Sequence, residues 1–158
     1  MTKTSEKIVF FPGSFDPFTL GHLSVVRRAL SLFDKIVVAV GVNENKHCLY
    51  TPQQREAMLR QLFAEEPCVE VSVYDGLTVD AAKKCGATAI LRGVRSIADF
   101  EYEKNIADLN RDLSGIETVL LFTEPAYAHI TSTAVRELIR YGQPVGRFVP
   151  EKLQLPVL

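Results

Sequence analysis

Short apolar, β-branched runs recur along the chain at intervals that leave room for one helix between each pair. KIVFF (Lys7 to Phe11), KIVVAVG (Lys35 to Gly41), CVEVSVY (Cys68 to Tyr74), ATAILR (Ala87 to Arg92) and ETVLLF (Glu117 to Phe122) predict five strands. The first, second and fifth are nearly continuous apolar runs, the pattern of strands covered on both faces. The intervening segments carry helical spacing. Leu23, Val26, Leu30 and Phe33 repeat every three or four residues, which puts His22 and Leu23 in the first turn of a helix. Thr51-Pro52-Gln53-Gln54 supplies an N-cap threonine, a proline at the first helical position and a glutamine at the third. Ser96 and Asp99 predict a weaker capping box ahead of a helix through Tyr102, Ile106 and Leu109, and Gly86 and Gly142 predict helix stops. Strands alternating with helices imply right-handed crossovers and a parallel sheet. The expected fold is α/β: one Rossmann-like, doubly wound domain over residues 1–158, five parallel strands with helices on both faces. Its ligands should bind beyond the carboxyl ends of the strands.

Composition narrows the function classes. With 47% hydrophobic side chains among 158 residues, the chain has material for one sizeable core. A net charge of −1 argues against a general nucleic-acid or membrane-surface binder, which normally carries a basic excess. Cys48, Cys68 and Cys85 are odd in number and lack C-x-x-C spacing, so they read as reduced thiols. MTKTSEK is polar and IVFF is far too short for a signal segment or a span, so a soluble, cytoplasmic protein is expected.

Four expected strand-to-helix loops concentrate anion-binding chemistry. In PGSFDPFTLGH, Gly13 is expected to turn the chain sharply, and the helix that follows presents free N–H groups. The loop matches neither G-x-G-x-x-G nor G-x-x-x-x-G-K-[ST], which argues against a nicotinamide dehydrogenase and a P-loop kinase. Asp16-Pro17 reads as turn chemistry, and Phe15 and Phe18 as core packing or a lid. His22, in the first turn of a helix, is expected to be a neutral imidazole donating one N–H. VNENKHCLY exceeds the usual length of such a connection and carries Lys46 beside His47. In LRGVRSIADFEYE, Arg92 closes a buried strand, Gly93 is expected to turn and Arg95 follows. Phosphate recognition and ion pairing with Asp99, Glu101 or Glu103 both fit this arrangement. In TEPAYAHITSTAVREL, Thr131, Ser132 and Thr133 place three hydroxyls at a helix start, one as cap and the others free to join an anion cradle.

PGSFDPFTLGH resembles the (T/H)-x-G-H signature of nucleotidyltransferases. Alone it would equally admit nicotinate-mononucleotide adenylyltransferases and cytidylyltransferases. Together with LRGVRSIADFEYE and ITST, in one collinear register over nearly the whole chain, it closely resembles bacterial phosphopantetheine adenylyltransferases. Ser14 stands where that family usually has threonine, TST replaces a frequent SSS, and Leu20 replaces a common asparagine. The resemblance implies transfer of AMP from ATP to 4′-phosphopantetheine, giving dephospho-coenzyme A and pyrophosphate, with Mg²⁺ carried on the phosphates and no protein metal site. It implies catalytic roles for Ser14, His22 and Lys46. It assigns ATP contacts to Gly13, Ser14, Phe15, His22, Gly93, Val94, Arg95, Glu103, Tyr127, Ala128, His129, Ile130, Thr131, Ser132 and Thr133, and acceptor contacts to Ser14, Lys46, Thr78 and Arg92. A hexamer and feedback inhibition by coenzyme A are further family expectations. A phosphate monoester is already largely dianionic at pH 7, its second pKa lying near about 6, so the nucleophile needs no general base. A related transferase with another acceptor, or a nucleotide-binding module without catalysis, remains the alternative.

Overall fold

A computed structural model describes residues 5–158, so the first four residues of the polar N-terminal stretch lie outside it. The five strands are β1 (Ile8–Gly13), β2 (Lys35–Gly41), β3 (Val69–Tyr74), β4 (Ala89–Val94) and β5 (Glu117–Phe122). The helices are α1 (Leu20–Ala29), α2 (Pro52–Leu62), α3 (Thr78–Lys84), α4 (Ile97–Ser114) and α5 (Ser132–Arg140), with a 3-10 turn at Pro125–Tyr127. All pairings are parallel and the sheet order is β3-β2-β1-β4-β5. The chain moves outward from β1 to β3, then crosses back to place β4 on the other side of β1. The strand order therefore reverses between β1 and β4, where a doubly wound sheet opens a crevice at its carboxyl edge.

The period-two geometry of a strand divides the core in two. Val9 and Phe11 of β1 face a layer with Leu23 and Val26 of α1, Met58 and Leu59 of α2 and Val135 of α5, closed by Val145, Val149 and Leu153 of the C-terminal segment. Phe10, between them, faces the opposite layer with Val37, Ile90 and Val79 and Ala82 of α3. The continuous apolar runs of β1 and β2 follow from this double cover. In β5 the central residues remain only half-buried, because it is one of the two edge strands.

Helix starts match the expected caps at two of three places. Thr51 accepts from Gln54 N, and Gln54 returns the bond to Thr51 N, a complete box. Ser96 accepts from Asp99 N, but the Asp99 carboxylate turns to Arg95 instead of closing the box. Thr131 caps α5 by accepting from Ala134 N. Gly86 and Gly142, at φ +69° and +67°, stop their helices in the left-handed conformation expected of them.

Two expected turns are placed differently. The fourth strand starts at Ala89 and runs on to Val94, pairing Gly93 with Leu121 and Val94 with Phe122, so Gly93 is extended strand and makes no turn. Its missing side chain serves close packing instead: a Cβ there would lie 3.2 Å from Val25 Cγ2 on α1. Gly13 likewise ends β1 as strand, and the left-handed residue of the turn is Phe15, at φ 47°. Asp16-Pro17 next to it is a cis peptide.

Candidate active site

At the β1/β4 crevice a cleft of ≈ 970 Å³ is lined from all four loops singled out by the sequence. Gly13, Ser14, Phe15 and His22 come from the β1–α1 connection, Lys46 from β2–α2, Arg92, Gly93, Arg95 and Glu103 from β4–α4, and Ile130, Thr131, Ser132 and Thr133 from the start of α5. Thr78 lines it at the start of α3, its hydroxyl 3.0 Å from that of Tyr74. Val94 does not reach the cleft; its side chain is buried. Tyr127, Ala128 and His129, on and after the 3-10 turn, also lie outside the lining, and His47 is exposed away from it.

The imidazole of His22 is held by the helix start itself. Thr19 caps α1, and His22 at the third helical position takes the part a glutamate or glutamine plays in a capping box. Its Nδ1 accepts from the Thr19 backbone N–H at 3.0 Å, while His22 N donates to Thr19 Oγ1. With the Nδ1 lone pair engaged, the neutral ring carries its proton on Nε2. The left-handed turn at Phe15 explains the rest of the environment. A non-glycine residue there costs about 1–2 kcal/mol, and it swings the Phe15 ring inward, 5.3 Å from Phe11 and 5.1 Å from His22, with Phe18 5.1 Å from His22 on another side. Gly13 is what makes room: a Cβ would meet Phe15 Cζ at 2.7 Å. Desolvation by these rings, aided by the positive charges of Arg92 and Arg95, lowers the His22 pKa to about 3. The residue as a whole is only half-buried, open on the cleft side. The expectation of a neutral donor at the helix start is met.

Cations surround this donor, each aimed by its own partners. Lys46 donates to Ser14 Oγ at 2.8 Å, joining the second loop to the first. Arg92 makes a bidentate pair with Glu103 through Nε (2.9 Å) and Nη2 (2.7 Å), and Nη1 donates to Pro12 O at 2.7 Å. Three of the five guanidinium N–H groups are thus in use, leaving two for a ligand. Glu103 is itself buried and committed to this pair, so its carboxylate serves as the holder of Arg92. The ion-pairing reading of the third loop is the one observed, and it leaves the Arg92 guanidinium oriented with N–H groups unused. Arg95 is steadied by Asp99 at 3.1 Å.

The three hydroxyls of α5 are less free than their sequence suggests. Thr131 is the cap, Ser132 Oγ donates to Pro17 O at 2.9 Å, and Thr133 Oγ1 accepts from Arg136 Nη2 at 3.0 Å. Thr133 keeps its own O–H for a ligand, and the unpaired N–H groups of α5 remain alongside. Arg136, also lining the cleft, was not singled out from the sequence; its signal was a cation one helical turn past the hydroxyls. Arg55 was missed as well. It lies three and four residues before Met58 and Leu59, which places a charge on the buried face of α2. Among the described residues no group of three or more His, Cys, Asp or Glu side chains could hold a metal ion.

A cytidylyltransferase-like family model matches residues 10–138, the span from β1 into α5 that builds this cleft. The phosphopantetheine adenylyltransferase of Phocaeicola vulgatus is 52% identical over 145 residues, covering 92% of this chain and 96% of that protein. The enzyme of the same name from Bacteroides thetaiotaomicron is 50% identical with the same coverage. The chain belongs to the phosphopantetheine adenylyltransferase family. The fold is shared more widely. A solved bifunctional NMN adenylyltransferase/ADP ribose pyrophosphatase from Francisella tularensis superposes with a TM-score of 0.68 at 16% identity, over 91% of this chain and 44% of that one. The family membership is the one that the third-loop motif pointed to, and the wider fold is the one the strand pattern predicted.

Proposed function

We propose that the cleft transfers AMP from ATP to 4′-phosphopantetheine, releasing pyrophosphate and forming dephospho-coenzyme A. The observation that carries this reading is His22: a neutral imidazole, fixed through Nδ1, with Nε2–H left as a donor among the cations of the other loops. A site built to bind anions alone would favour a charged imidazole; one built to stabilise a crowded phosphoryl transition state favours a donor that is already positioned. The acceptor phosphate attacks the α-phosphorus, the new P–O bond forms, and the bond to the bridging oxygen breaks as pyrophosphate leaves. No proton must be removed from the nucleophile. His22 Nε2–H would donate to an α-phosphate oxygen, with Gly13, Ser14 and Phe15 forming the turn around the triphosphate and Lys46 bridging the two substrates' phosphates. Arg92, held by Glu103, would grip the acceptor phosphate beside Thr78, and Arg95, Thr131, Ser132, Thr133 and Arg136 would face ATP.

The donor set here is cations, hydroxyls and backbone amides, which fits Mg²⁺ arriving on the triphosphate and bound chiefly by phosphate oxygens. That ion would neutralise charge on the departing pyrophosphate. Coenzyme A, which shares the product's adenylate and pantetheine parts, would compete for the same cleft. A cytoplasmic location is proposed on the family likeness; among the described residues no helix is long and apolar enough to cross a membrane. The proposed hexamer has a surface to use. In α4 only Glu103 is buried, while Ile97, Leu109 and Leu113 are exposed on the same helix and Phe122 stands at the end of the edge strand β5.

The deciding assay is pyrophosphate release from ATP and Mg²⁺ with 4′-phosphopantetheine, without an acceptor, and with nicotinate mononucleotide. Release only with phosphopantetheine, matched by dephospho-coenzyme A, supports the proposal. Release with the other acceptor, or ATP binding without release, overturns it.

A further inference from the structure

Lys46 sits in the middle of a connection of ten residues, Val42 to Thr51, hung between the end of β2 and the start of α2. Something must hold its amine against Ser14, because a lysine on a long exposed loop otherwise samples many positions. The only direct bond between that lysine and the first loop is the 2.8 Å contact to Ser14 Oγ. A second connection runs beneath it, through Arg55.

Arg55 is 2% exposed, yet none of the ion pairs among the described residues includes it. Its guanidinium donates to main-chain carbonyls alone: Nε to Tyr50 O at 3.1 Å, and Nη1 to Ser14 O at 2.6 Å and Gly41 O at 3.3 Å. These three oxygens belong to three different segments. Gly41 is the foot from which the Lys46 loop leaves, Tyr50 is the foot at which it returns, and Ser14 carries the hydroxyl that Lys46 meets. The return foot is gripped from its other side as well: the buried Asp16 carboxylate accepts from Leu49 N at 2.7 Å and Tyr50 N at 2.9 Å. Asp16 is in turn faced by Arg136, which donates to its backbone oxygen and lies 3.8 Å from its carboxylate.

Stability is a poor reason for such an arginine. A buried guanidinium without a counter-charge is costly to desolvate, and apolar residues of similar volume often replace buried ions without loss. On the same helix face, Met58 and Leu59 show what the surrounding core accepts. What an apolar side chain lacks is the planar fork that reaches three carbonyls at once.

We propose that Arg55 is a positioning residue: by joining Ser14, Gly41 and Tyr50 it sets the Lys46 loop against the first phosphate loop, with Asp16 holding the same foot from the opposite side. The proposal rests on the catalytic reading of Lys46, and its tests separate the two. Arg55→Met removes the fork and keeps the bulk; Arg55→Lys keeps charge but reaches fewer carbonyls. Each should lower kcat about tenfold or more with the KM for ATP changing less than about threefold, because the lost element is alignment and not ground-state binding. In a Lys46→Ala background the same substitutions should change kcat by less than about twofold, the group they align being gone. Hydrogen exchange should quicken in the peptide spanning residues 42–50 and stay unchanged in β1 and β2. Full multiplication of the two effects in the double variant, or unchanged exchange in 42–50, would overturn the proposal.

Should Arg55→Met fail to fold, Asp16→Asn supplies the same cycle from the other side of Tyr50. Its amide keeps one accepting oxygen for two N–H donors, so it too should couple to Lys46, and additivity would again count against the tether. If Lys46→Ala alone leaves kcat untouched, the catalytic reading of Lys46 fails. The exchange of 42–50 in the Arg55 variants then decides the tether by itself: faster exchange supports it, and no change rejects it.

Discussion

His22 shows how one side chain acquires a function from the four neighbours that surround it. Thr19 N–H takes its Nδ1 lone pair, and Phe11, Phe15 and Phe18 keep water from the ring faces, so the proton stays on Nε2. His22→Ala should reduce kcat by about a hundredfold or more, on the order of 3 kcal/mol of transition-state stabilisation, with ATP binding changed much less. Turnover near the parent rate in that variant would remove the assigned role. The folded pKa near 3, against an ordinary value of 6.5, also fixes two pH responses. The free enzyme should show no inflection from His22 between about pH 5 and 8 in the pH profile of kcat/KM. Stability should be unaffected by this group above pH 6.5 and fall as the pH drops from there toward 3, since across that window the unfolded chain binds a proton that the folded chain does not. Urea unfolding of the parent and of His22→Gln at pH 7 and pH 5 checks it: the difference between the two proteins should shift toward the variant at the lower pH. Gly13→Ala tests the same pocket sterically. Its methyl would meet the Phe15 ring at 2.7 Å, and that ring is wedged among three others, so a loss of about 1–3 kcal/mol in thermal unfolding is expected.

At the scale of elements, the pairing of β4 with α4 makes Arg92 usable. The strand delivers the guanidinium and the first turns of the helix deliver Glu103, so the cation arrives oriented with two N–H groups to spare. Arg92→Ala should weaken phosphopantetheine binding while leaving ATP binding nearly intact, measured by calorimetry with each substrate separately; an unchanged acceptor affinity would reject the assignment. Glu103→Gln should reproduce a weaker version of the same defect, because the amide presents one acceptor to a fork that needs two. The element scale is also where sequence reading lost accuracy. ATAILR ended the fourth strand at Arg92 because Gly93 looked like a turn; ladder pairing to β5 carried the strand two residues further. Gly13 suggests the turn for the same reason, whereas the turn falls on Phe15, whose ring gains enough core contact to offset a left-handed backbone. In both cases tertiary packing decided what a glycine was for.

On the scale of the molecule, the sheet order gathers residues separated by more than a hundred positions. Ser132 Oγ reaches Pro17 O and Arg136 reaches Asp16 O, tying the last helix to the first loop. The same topology leaves α4 and β5 on an outer edge with much apolar surface uncovered. If that edge is the surface of the proposed hexamer, Leu109→Lys should give a smaller species by light scattering with secondary structure retained. An unchanged mass would place the interface elsewhere.

The sequence by itself determined the strand and helix alternation, the cap at Thr51, a cap somewhere among Thr131, Ser132 and Thr133, and the four loops in which cations, hydroxyls and His22 recur. These are local properties, written in periodicity, capping chemistry and spacing, and the long third-loop motif pointed to the family the comparisons show. Only the tertiary structure decided which groups those loops leave free. Ser132 is spent on Pro17, Glu103 on Arg92, and Tyr127, Ala128 and His129 fall outside the cleft. It also brought in Arg55 and Arg136, which no motif announced. Their meaning depends on carbonyls and carboxylates far away along the chain, and a hydrogen bond between distant segments has no period for a sequence to display.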